Sequence, residues 1–275
     1  GLAAAARIAA RGKHSRPDVA EFLADLEPRC LTLSRQLRVA DDHPAAWQPG
    51  PARTTWIRDP KPRLITIVPF PDRVVHHALC AVAEPWFERY AIHRSFACRR
   101  GRGQKAALLE CQRLARRHTW AWKGDVTAYF ASIPHAPLLA LLRRRLPDPA
   151  LCDLFERVVQ APSGRGLPVG SLTSQHLANL YLGHLDHAVL DERGHGAWLR
   201  YMDDFVAFGD RDALVALRRF VQEALRSLGL KLNPRASRLA PTRDGIPFLG
   251  MRVSPARIHL RPANARRLRA AQAAL

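Results

Sequence analysis

The sequence predicts an α+β protein, in which short strands are interleaved with long helices and β-hairpins come late in the chain. Apolar residues recur at helical spacing over Asp72–Glu88 and 211–228. Short apolar runs bounded by turn residues predict strands at Thr54–Arg58, Arg63–Val68 and Trp120–Val126. With 275 residues, 47% of them apolar and 24% charged, the chain can form one large or two ordinary globular domains.

The remaining elements follow from helix starts, turn residues and apolar spacing. An Ala-rich helix is predicted over 2–11, and a second helix opens at Pro17 and runs to about Arg38. The turn at 59–62 joins the first two strands into a hairpin. The later elements are, in chain order, a helix after the basic glycine loop 99–105, helices over 136–145, 149–160 and 171–190, a hairpin around 201–204, the helix over 211–228 that ends at Gly229, a hairpin of 248–253 with 257–260, and a basic helix from 262.

The charge of the chain indicates its class of partner. Lys and Arg number 43 against 24 Asp and Glu, which gives a net charge of +19. A basic excess of this size favours a polyanion, most readily nucleic acid. The alternative is an arginine-rich composition without such a partner.

Cysteine spacing and hydropathy limit the cellular compartments that suit the chain. The five cysteines form no CxxC pair and lack zinc-ligand spacing, so we expect reduced cysteines in a cytoplasmic protein. No run of ~18 apolar residues occurs, so no transmembrane helix is expected. The chain begins with Gly-Leu-Ala instead of Met, from which we expect a fragment of a longer protein.

The most informative segment is Tyr201-Met202-Asp203-Asp204. Apolar residues on both sides predict a hairpin that carries the two carboxylates at its turn. Adjacent carboxylates repel each other unless a cation lies between them, and hard cations such as Mg²⁺ prefer oxygen ligands. Taken alone, the segment is equally consistent with a polar turn that has no chemistry.

A third acid has a related context. Asp125 ends the apolar strand predicted at Trp120–Val126. Metal-dependent phosphoryl transfer needs two or three carboxylates from different segments, which hold two cations roughly 4 Å apart. Asp125 would complete that set with Asp203 and Asp204, although by itself it is more typical of a strand-end or capping aspartate.

Several segments, in this order and spacing, together resemble a reverse transcriptase over about residues 7–260. Asp125–Ile133 resembles the first catalytic motif of the palm, and Tyr201–Asp204 resembles the signature metal-binding hairpin. The other matching segments are Lys61–Ile65 and Asp72–Leu79 for the fingers, Gly166–Gln175 for the template- and nucleotide-contacting motif, and Gly229–Pro234 and Pro247–Gly250 for the two trailing motifs. The resemblance implies a right-hand polymerase with fingers over 1–118, palm over 119–255 and the start of a short or truncated thumb over 256–275.

Within that family, the chain is most similar to the reverse transcriptases of bacterial diversity-generating retroelements. Ser174-Gln175 stands where most reverse transcriptases have Ser-Pro, and the stretches 69–80 and 96–103 also match that group. The resemblance implies error-prone copying at template adenine, linked to Gln175. Phage-defence, retron and group II intron enzymes share the palm motifs and stay open as alternatives.

The resemblance assigns the catalytic and metal-binding roles. Asp125 and Asp203 would coordinate two Mg²⁺ ions, with Mn²⁺ as the alternative metal. Asp204 would complete or orient the cluster, and the resemblance also implies that Val126 takes part in metal binding. Either Lys231 or Arg235 would donate a proton to the leaving pyrophosphate, and the sequence does not separate the two.

The resemblance also implies contacts with substrates. Lys61 and Arg63 would meet the nucleotide phosphates, although a solvated hairpin tip is the plain alternative. Phe130, or its neighbour Tyr129, would lie under the sugar and select dNTPs. The further residues are Gly170, Ser174 and Gln175 beside the nucleotide, Phe248, Leu249 and Gly250 as the primer grip, and Arg99, Arg100, Arg102 and Lys105 on the nucleic-acid backbone, where a solvated basic loop is equally plausible.

The implied activity is RNA-directed DNA synthesis from dNTPs, with an RNA template and a DNA or RNA primer. The resemblance adds a noncoding RNA template and a small basic accessory protein in a bacterial cytoplasm, and no membrane. The competing hypothesis from another class is an inert nucleic-acid-binding scaffold. Three intact acids on a protein of charge +19 argue against that scaffold.

Overall fold

The computed structural model describes residues 1–39, 43–58, 62–159 and 164–262, together with Asn264 and Arg266. The chain divides into two compact units that interleave in sequence. Unit 1 comprises Gly1–Tyr90 and Ile133–Ala178, and unit 2 comprises Ala91–Ser132 and Asn179–Leu275. The assignment of fingers, palm and thumb to consecutive stretches stays a prediction. In the described part of the chain, no helix is both long enough and apolar enough to cross a membrane.

Helices and strands alternate along the chain, as predicted for an α+β protein. The helices are α1 (Leu2–Ala9), α2 (Pro17–Ala24), α3 (Leu26–Gln36), α4 (Phe70–Tyr90), α5 (Gln104–Ala115), α6 (Tyr129–Ser132), α7 (His135–Arg145), α8 (Pro149–Val159), α9 (Leu172–Tyr181), α10 (Gly183–His187) and α11 (Arg211–Ser227). The strands are β1 (Arg53–Arg58), β2 (Pro62–Ile67), β3 (Trp120–Gly124), β4 (Trp198–Tyr201), β5 (Asp204–Gly209), β6 (Arg238–Pro241), β7 (Ile246–Phe248), β8 (Met251–Val253) and β9 (Ile258–Leu260).

Unit 1 is mainly helical and carries one hairpin. Strands β1 and β2 pair in antiparallel register from Arg53↔Ile67 to Arg58↔Pro62. Helix α1 packs on α4 through small side chains that are almost completely buried, which allows the two helices to approach closely. The buried carboxylate of Asp72 accepts hydrogen bonds from Trp47 Nε1 (3.2 Å) and from the Gly50 N–H (2.8 Å), which ties the segment before the hairpin to α4.

Unit 2 is built on an antiparallel sheet in the order β4-β5-β3-β6, with a separate three-stranded sheet β7-β8-β9. Helix α11 contacts β3 and β5, and its buried residues Leu214, Leu217, Val221 and Leu225 recur at helical spacing. Gly124 is required at the end of β3, because a Cβ there would lie 2.2 Å from the ring of Phe205. That close packing sets the position of the following residue, Asp125.

The structure departs from the sequence-based element bounds at several points. The strand predicted over 248–253 is interrupted by the turn at Leu249 and Gly250, so the hairpin predicted with 257–260 is instead the three-stranded sheet β7-β8-β9. The helix predicted over 17–38 is split between α2 and α3, because Pro28 cannot accommodate the carbonyl of Ala24 in a continuous helix, and Asp25 leaves the helical region (φ −110°, ψ 38°). The helix predicted over 171–190 is divided into α9, α10 and a π-helical turn at Ala188–Glu192. Strand β6 was not predicted. The basic helix predicted from 262 lies largely outside the described residues.

Candidate functional site

The two adjacent acids of unit 2 lie at the tip of the β4–β5 hairpin. Tyr201 and Asp204 form the last pair of the ladder, so Met202 and Asp203 make a two-residue turn. Met202 has φ +57°, in the left-handed region that non-glycine residues rarely adopt. Around the turn, Trp198, Leu199, Phe205 and Val206 are completely buried. The packed side chains on both strands therefore fix the position of the turn.

The third acid reaches this hairpin through strand pairing. Strand β3 pairs with β5 up to Gly124↔Phe205, so Asp125 emerges beside the start of β5. Burial raises the pKa of Asp203 to about 6, and repulsion from Asp125 adds to the shift. Burial also raises the pKa of Asp204. Carboxylates from two segments thus lie close together in a partly buried site, where their mutual repulsion disfavours ionisation of all of them at once.

Asp204 already has partners that balance its charge. Lys123 Nζ forms an ion pair with Asp204 Oδ1, and the Leu249 N–H donates to the same carboxylate. Both contacts favour the ionised form and oppose the effect of burial on its pKa. Sequence reasoning did not single out Lys123, although its position two residues before Asp125 on a strand puts both side chains on one face.

The carboxylates of this site are oxygen donors of the kind that bind a hard divalent metal ion. Across the described residues, no group of three or more His, Cys, Asp or Glu side chains is arranged to hold a metal ion. Since Lys123 balances Asp204, the repulsion that a cation would relieve is chiefly that between Asp125 and Asp203. Their oxygens are the ligands that Mg²⁺ prefers, so the chemistry of this pair fits a hard divalent cation.

A short segment after α11 runs beside the first acid. The Thr127 N–H donates to Lys231 O and the Asn233 N–H donates to Asp125 O, both at 2.8 Å, and Val126 and Leu232 form the bridge between them. Lys231 and Arg235 both expose their side chains on this segment. The geometry therefore keeps both as candidates for the proton donor.

The neighbouring aromatic residues of α6 differ in burial. Tyr129 is 2% exposed, whereas Phe130 is partly exposed and meets the Tyr129 ring edge-on, with the ring centroids 5.8 Å apart. Burial raises the pKa of the Tyr129 hydroxyl well above its ordinary value. Tyr129 is thus a core residue, and Phe130 is the member of the pair that a ligand can contact.

The predicted primer-grip residues form the tight turn between β7 and β8. Phe248 is buried in the core, while Leu249 and Gly250 have φ +48° and +80°. Gln104 Nε2 donates to Leu249 O at 2.8 Å, and Asn264 Nδ2 donates to Gly250 O at 2.8 Å. The Leu249 N–H contact with Asp204 therefore connects this turn to the acidic hairpin.

The basic loop 99–105 is divided between internal and exposed side chains. Arg99 Nη1 donates to Ile92 O (2.7 Å) and to Ser95 O (2.8 Å), and Arg102 lies over the ring of Phe96. Arg100 and Lys105 expose their side chains. Arg99 and Arg102 thus brace the loop itself, and the role of the four in binding a nucleic-acid backbone stays a prediction.

The predicted nucleotide-contacting residues of unit 1 lie around its hairpin. Gly170 has φ +108°, and a Cβ there would lie 2.7 Å from Ile65 Cγ2 and 3.0 Å from Thr66 O, so glycine permits close packing on β2. Ser174 is 2% exposed, Gln175 is exposed, and Arg63 is exposed on β2. Lys61 lies outside the described residues.

A cavity of about 470 Å³ lies within unit 1. Gly170 and Gln175 line it together with β2, and Lys13, Arg16 and Arg73 supply positive charge to its wall. Lys13 and Arg16 were not among the predicted site residues. The basic run Arg11-Gly-Lys-His-Ser-Arg16 was the signal that could have found them.

The acidic hairpin and the strand end beside it are typical of enzymes that copy nucleic acid, and similarity to known proteins identifies the family. A family model described as reverse transcriptase (RNA-dependent DNA polymerase) matches residues 57–253, and the chain belongs to this family. Protein YkfC of Escherichia coli K12 is 26% identical over 92% of this chain and 80% of its own length. The group II intron-encoded protein LtrA of Lactococcus lactis is 27% identical over 52% of this chain and 26% of its own length.

Solved structures agree on the fold. Telomerase of Candida albicans, in complex with a TWJ fragment of telomeric RNA, superposes with a TM-score of 0.61 at 10% identity. The match covers 78% of this chain and 46% of the telomerase chain. Apo telomerase of Candida tropicalis matches with a TM-score of 0.59 over 50% of its chain. The chain thus spans about half of these structures, and about a quarter of LtrA.

Proposed function

We propose that this chain is an RNA-directed DNA polymerase, which adds deoxynucleotides to a primer 3′-end on an RNA template. The observation that carries the proposal is the convergence of Asp125 with Asp203 and Asp204 at the β3 and β5 strand ends of unit 2. Membership of the reverse transcriptase family and the +19 charge support the same conclusion.

The acids have distinct roles in this proposal. Asp125 and Asp203 would hold the two metal ions, with the Val126 backbone beside them, and Asp204 would orient the cluster while Lys123 limits its charge. When bound, Mg²⁺, or Mn²⁺ in its place, would supply Lewis-acid activation of the primer hydroxyl and charge stabilisation for the leaving pyrophosphate. Phe130 lies under the sugar and excludes a ribose 2′-hydroxyl. Lys231 or Arg235 delivers a proton to pyrophosphate.

Unit 1 contributes nucleotide and template contacts in this proposal. Its cavity carries three cationic side chains, an exposed Gln175 amide and an apolar wall from β1 and β2. Cationic groups suit phosphates, and the amide of Gln175 offers both a donor and an acceptor to a base edge. Arg63 acts on nucleotide phosphates from β2, and the same role is proposed for Lys61, which lies outside the described residues.

The proposal is tested by primer extension on an RNA template with dNTPs and Mg²⁺. Wild type is expected to extend the primer, and the double variant Asp203→Asn/Asp204→Asn is expected to lose extension. Asp212→Asn is the matched control, because that side chain is 97% exposed at the start of α11. Equal extension by the double variant would contradict the assigned acids. Absence of extension by wild type with Mg²⁺ or Mn²⁺ would favour the inert scaffold.

The finer proposal is a diversity-generating retroelement enzyme, which copies a noncoding RNA with errors at template adenine and works with a small basic accessory protein in a bacterial cytoplasm. It is supported by Ser174-Gln175, of which Gln175 is exposed on the cavity. Sequenced products should show errors concentrated at adenine, and Gln175→Pro should reduce them. Faithful copying by both proteins would instead favour a group II intron type, to which the similarity to LtrA also points. Retron and phage-defence enzymes are the remaining types.

A further inference from the structure

A completely buried arginine directly precedes the acidic hairpin tip of unit 2. The side chain of Arg200 is 1% exposed and that of Asp186 is 0% exposed. Arg200 Nε donates to both carboxylate oxygens of Asp186 at 2.8 Å, and Nη2 donates to Oδ2 at 2.5 Å. Trp198 Nε1 donates to Asp186 Oδ1 at 2.8 Å, so the carboxylate is fixed from two sides.

The rest of the guanidinium reaches the turn. Arg200 Nη1 donates to Met202 O at 2.9 Å and to Asn179 Oδ1 at 2.7 Å, while Nη2 donates to Asn179 O at 3.2 Å. Met202 is the residue with φ +57°, and its carbonyl belongs to the peptide that leads into Asp203. One side chain therefore holds the carbonyl of a strained turn residue and connects it to α9 and α10.

The backbone of Arg200 is also fixed. Its N–H donates to Arg94 O at 2.9 Å, and its carbonyl accepts from the Phe96 N–H at 3.0 Å. Asn179 Nδ2 donates to Ala97 O at 3.0 Å, which closes the network on the same segment. The guanidinium cannot move without breaking several hydrogen bonds, so the Met202 carbonyl has a fixed donor.

A buried ion pair gives little net stability, because desolvation of both charges offsets their attraction. The planar fork of arginine is suited to fixing geometry, which a lysine cannot reproduce. In this network the geometry that is fixed belongs to the turn that carries Asp203. Partners behind metal ligands commonly set the affinity of a metal site in this way.

We propose that Arg200, oriented by Asp186 and Asn179, is a positioning residue that sets the Met202-Asp203 turn and thereby the metal affinity of Asp203. The inference rests on the proposed function, since it gives Asp203 the role of a metal ligand. Because the Arg200 side chain is completely buried, it would act only through the turn that it holds.

Direct Mn²⁺ titration, followed by the EPR signal of the free ion, tests the inference on the chain without nucleic acid. The variants are Arg200→Met, which removes the guanidinium, and Arg200→Lys, which keeps the charge beside Asp186. We expect Mn²⁺ affinity to fall about 10- to 100-fold in Arg200→Met and less in Arg200→Lys. In primer extension, kcat should fall while KM for dNTP changes little.

Thr242→Val is the matched control for lost stability. Thr242 is buried in the same unit and donates its hydroxyl to His118 O at 2.8 Å, beyond the end of β3 opposite to Asp125. It should lower the unfolding midpoint and leave Mn²⁺ affinity unchanged. If Arg200→Met does not fold, Arg200→Lys and Asp186→Asn carry the same comparison.

Two results would overturn the inference. One is a lower unfolding midpoint in the Arg200 variants with Mn²⁺ affinity equal to wild type, and the other is a wild type that binds no Mn²⁺. Absence of primer extension by wild type would instead count against the proposed function, because the titration needs no polymerase activity. The two failures are therefore distinguishable.

Discussion

The β1–β2 hairpin of unit 1 and the β4–β5 hairpin of unit 2 differ in how much of their surface is buried. In the β1–β2 hairpin of unit 1, every residue of β1 is exposed, and Trp56 retains 70% of its accessible surface. In the β4–β5 hairpin of unit 2, Trp198–Arg200 and Phe205–Phe208 are buried, and Phe205 stacks on Trp198 with a centroid separation of 4.6 Å. The β4–β5 hairpin is thus packed into the core and carries the acids at its turn, whereas the β1–β2 hairpin is largely exposed.

The difference follows from what each ladder packs against. An isolated two-stranded hairpin is marginal in water, so β1–β2 depends on a few contacts, such as the Thr66 N–H bond to Val169 O at 2.8 Å. The β4–β5 hairpin belongs to a four-stranded sheet and shares a core with α11. Under the proposed function, the β4–β5 hairpin would carry metal ligands, which need fixed geometry, and the β1–β2 hairpin would contact a long polyanion, which tolerates adjustment.

The largest expected effect comes from the core of the buried hairpin. Phe205→Ala should lower the free energy of unfolding by about 3–5 kcal/mol, because the ring fills the space between Trp122 and Trp198. Trp56→Ala, on the exposed hairpin, should change it by no more than about 0.5 kcal/mol. Urea denaturation of both variants measures the contrast.

Equal destabilisation by the two substitutions would contradict the comparison. It would mean that Trp56 is covered by a partner in solution, such as a second copy of the chain, and repeating the measurement across protein concentrations would show this.

The second effect is a pH dependence of the free energy of unfolding, which arises from His76 in unit 1. His76 is 4% exposed, and its Nδ1 lies 3.0 Å from the Oγ of Ser171, the residue after Gly170. Burial lowers the pKa of His76 from 6.5 to about 4, with repulsion from His77 and Arg73 adding to the shift. Between these pH values the unfolded chain binds more protons, so the free energy of unfolding should fall as the pH drops.

The contribution of His76 should be complete above about pH 6.5 and should be lost progressively toward pH 4, with a total of up to about 3 kcal/mol. Urea denaturation at several pH values measures this slope. His76→Asn, which keeps an acceptor near Ser171, should flatten the slope, and the exposed His14→Asn should not. An unchanged slope in His76→Asn would show that other groups, such as His77 and His176, control the acid response.

Local sequence patterns predicted the elements that local chemistry determines. The helix predicted over 211–228 is found at Arg211–Ser227 and ends before Gly229, which has φ +69°. The strand at 54–58 and the turn at 201–204 were also predicted, because apolar alternation and turn residues lie next to each other in the chain. These features need no knowledge of distant contacts.

The rest depends on contacts that are distant in sequence. Strand β6 has only four residues and forms because it pairs with β3, more than a hundred residues earlier. Arg200 and Lys123 looked like ordinary basic residues of two strands, and their acidic partners could be identified only once the strands and helices were in place. The basic run that holds Lys13 and Arg16 is visible in the sequence, but its place beside the cavity of unit 1 follows only from the fold.

The smallest effect sharpens the comparison at the point where the exposed hairpin is attached. Gly170→Ala should lower the free energy of unfolding by about 1–3 kcal/mol, because its Cβ would lie 2.7 Å from Ile65 Cγ2 and 3.0 Å from the Thr66 carbonyl, and its φ is +108°. Gly12→Ala separates the two causes, since Gly12 also has positive φ (+67°) but no atom within 4 Å of a Cβ. Gly12→Ala should cost about 1 kcal/mol, from backbone conformation alone. Limited proteolysis should then cleave β1–β2 faster in Gly170→Ala than in Gly12→Ala. Equal cleavage of the two variants would show that the hairpin is held in place by contacts other than the one at Gly170.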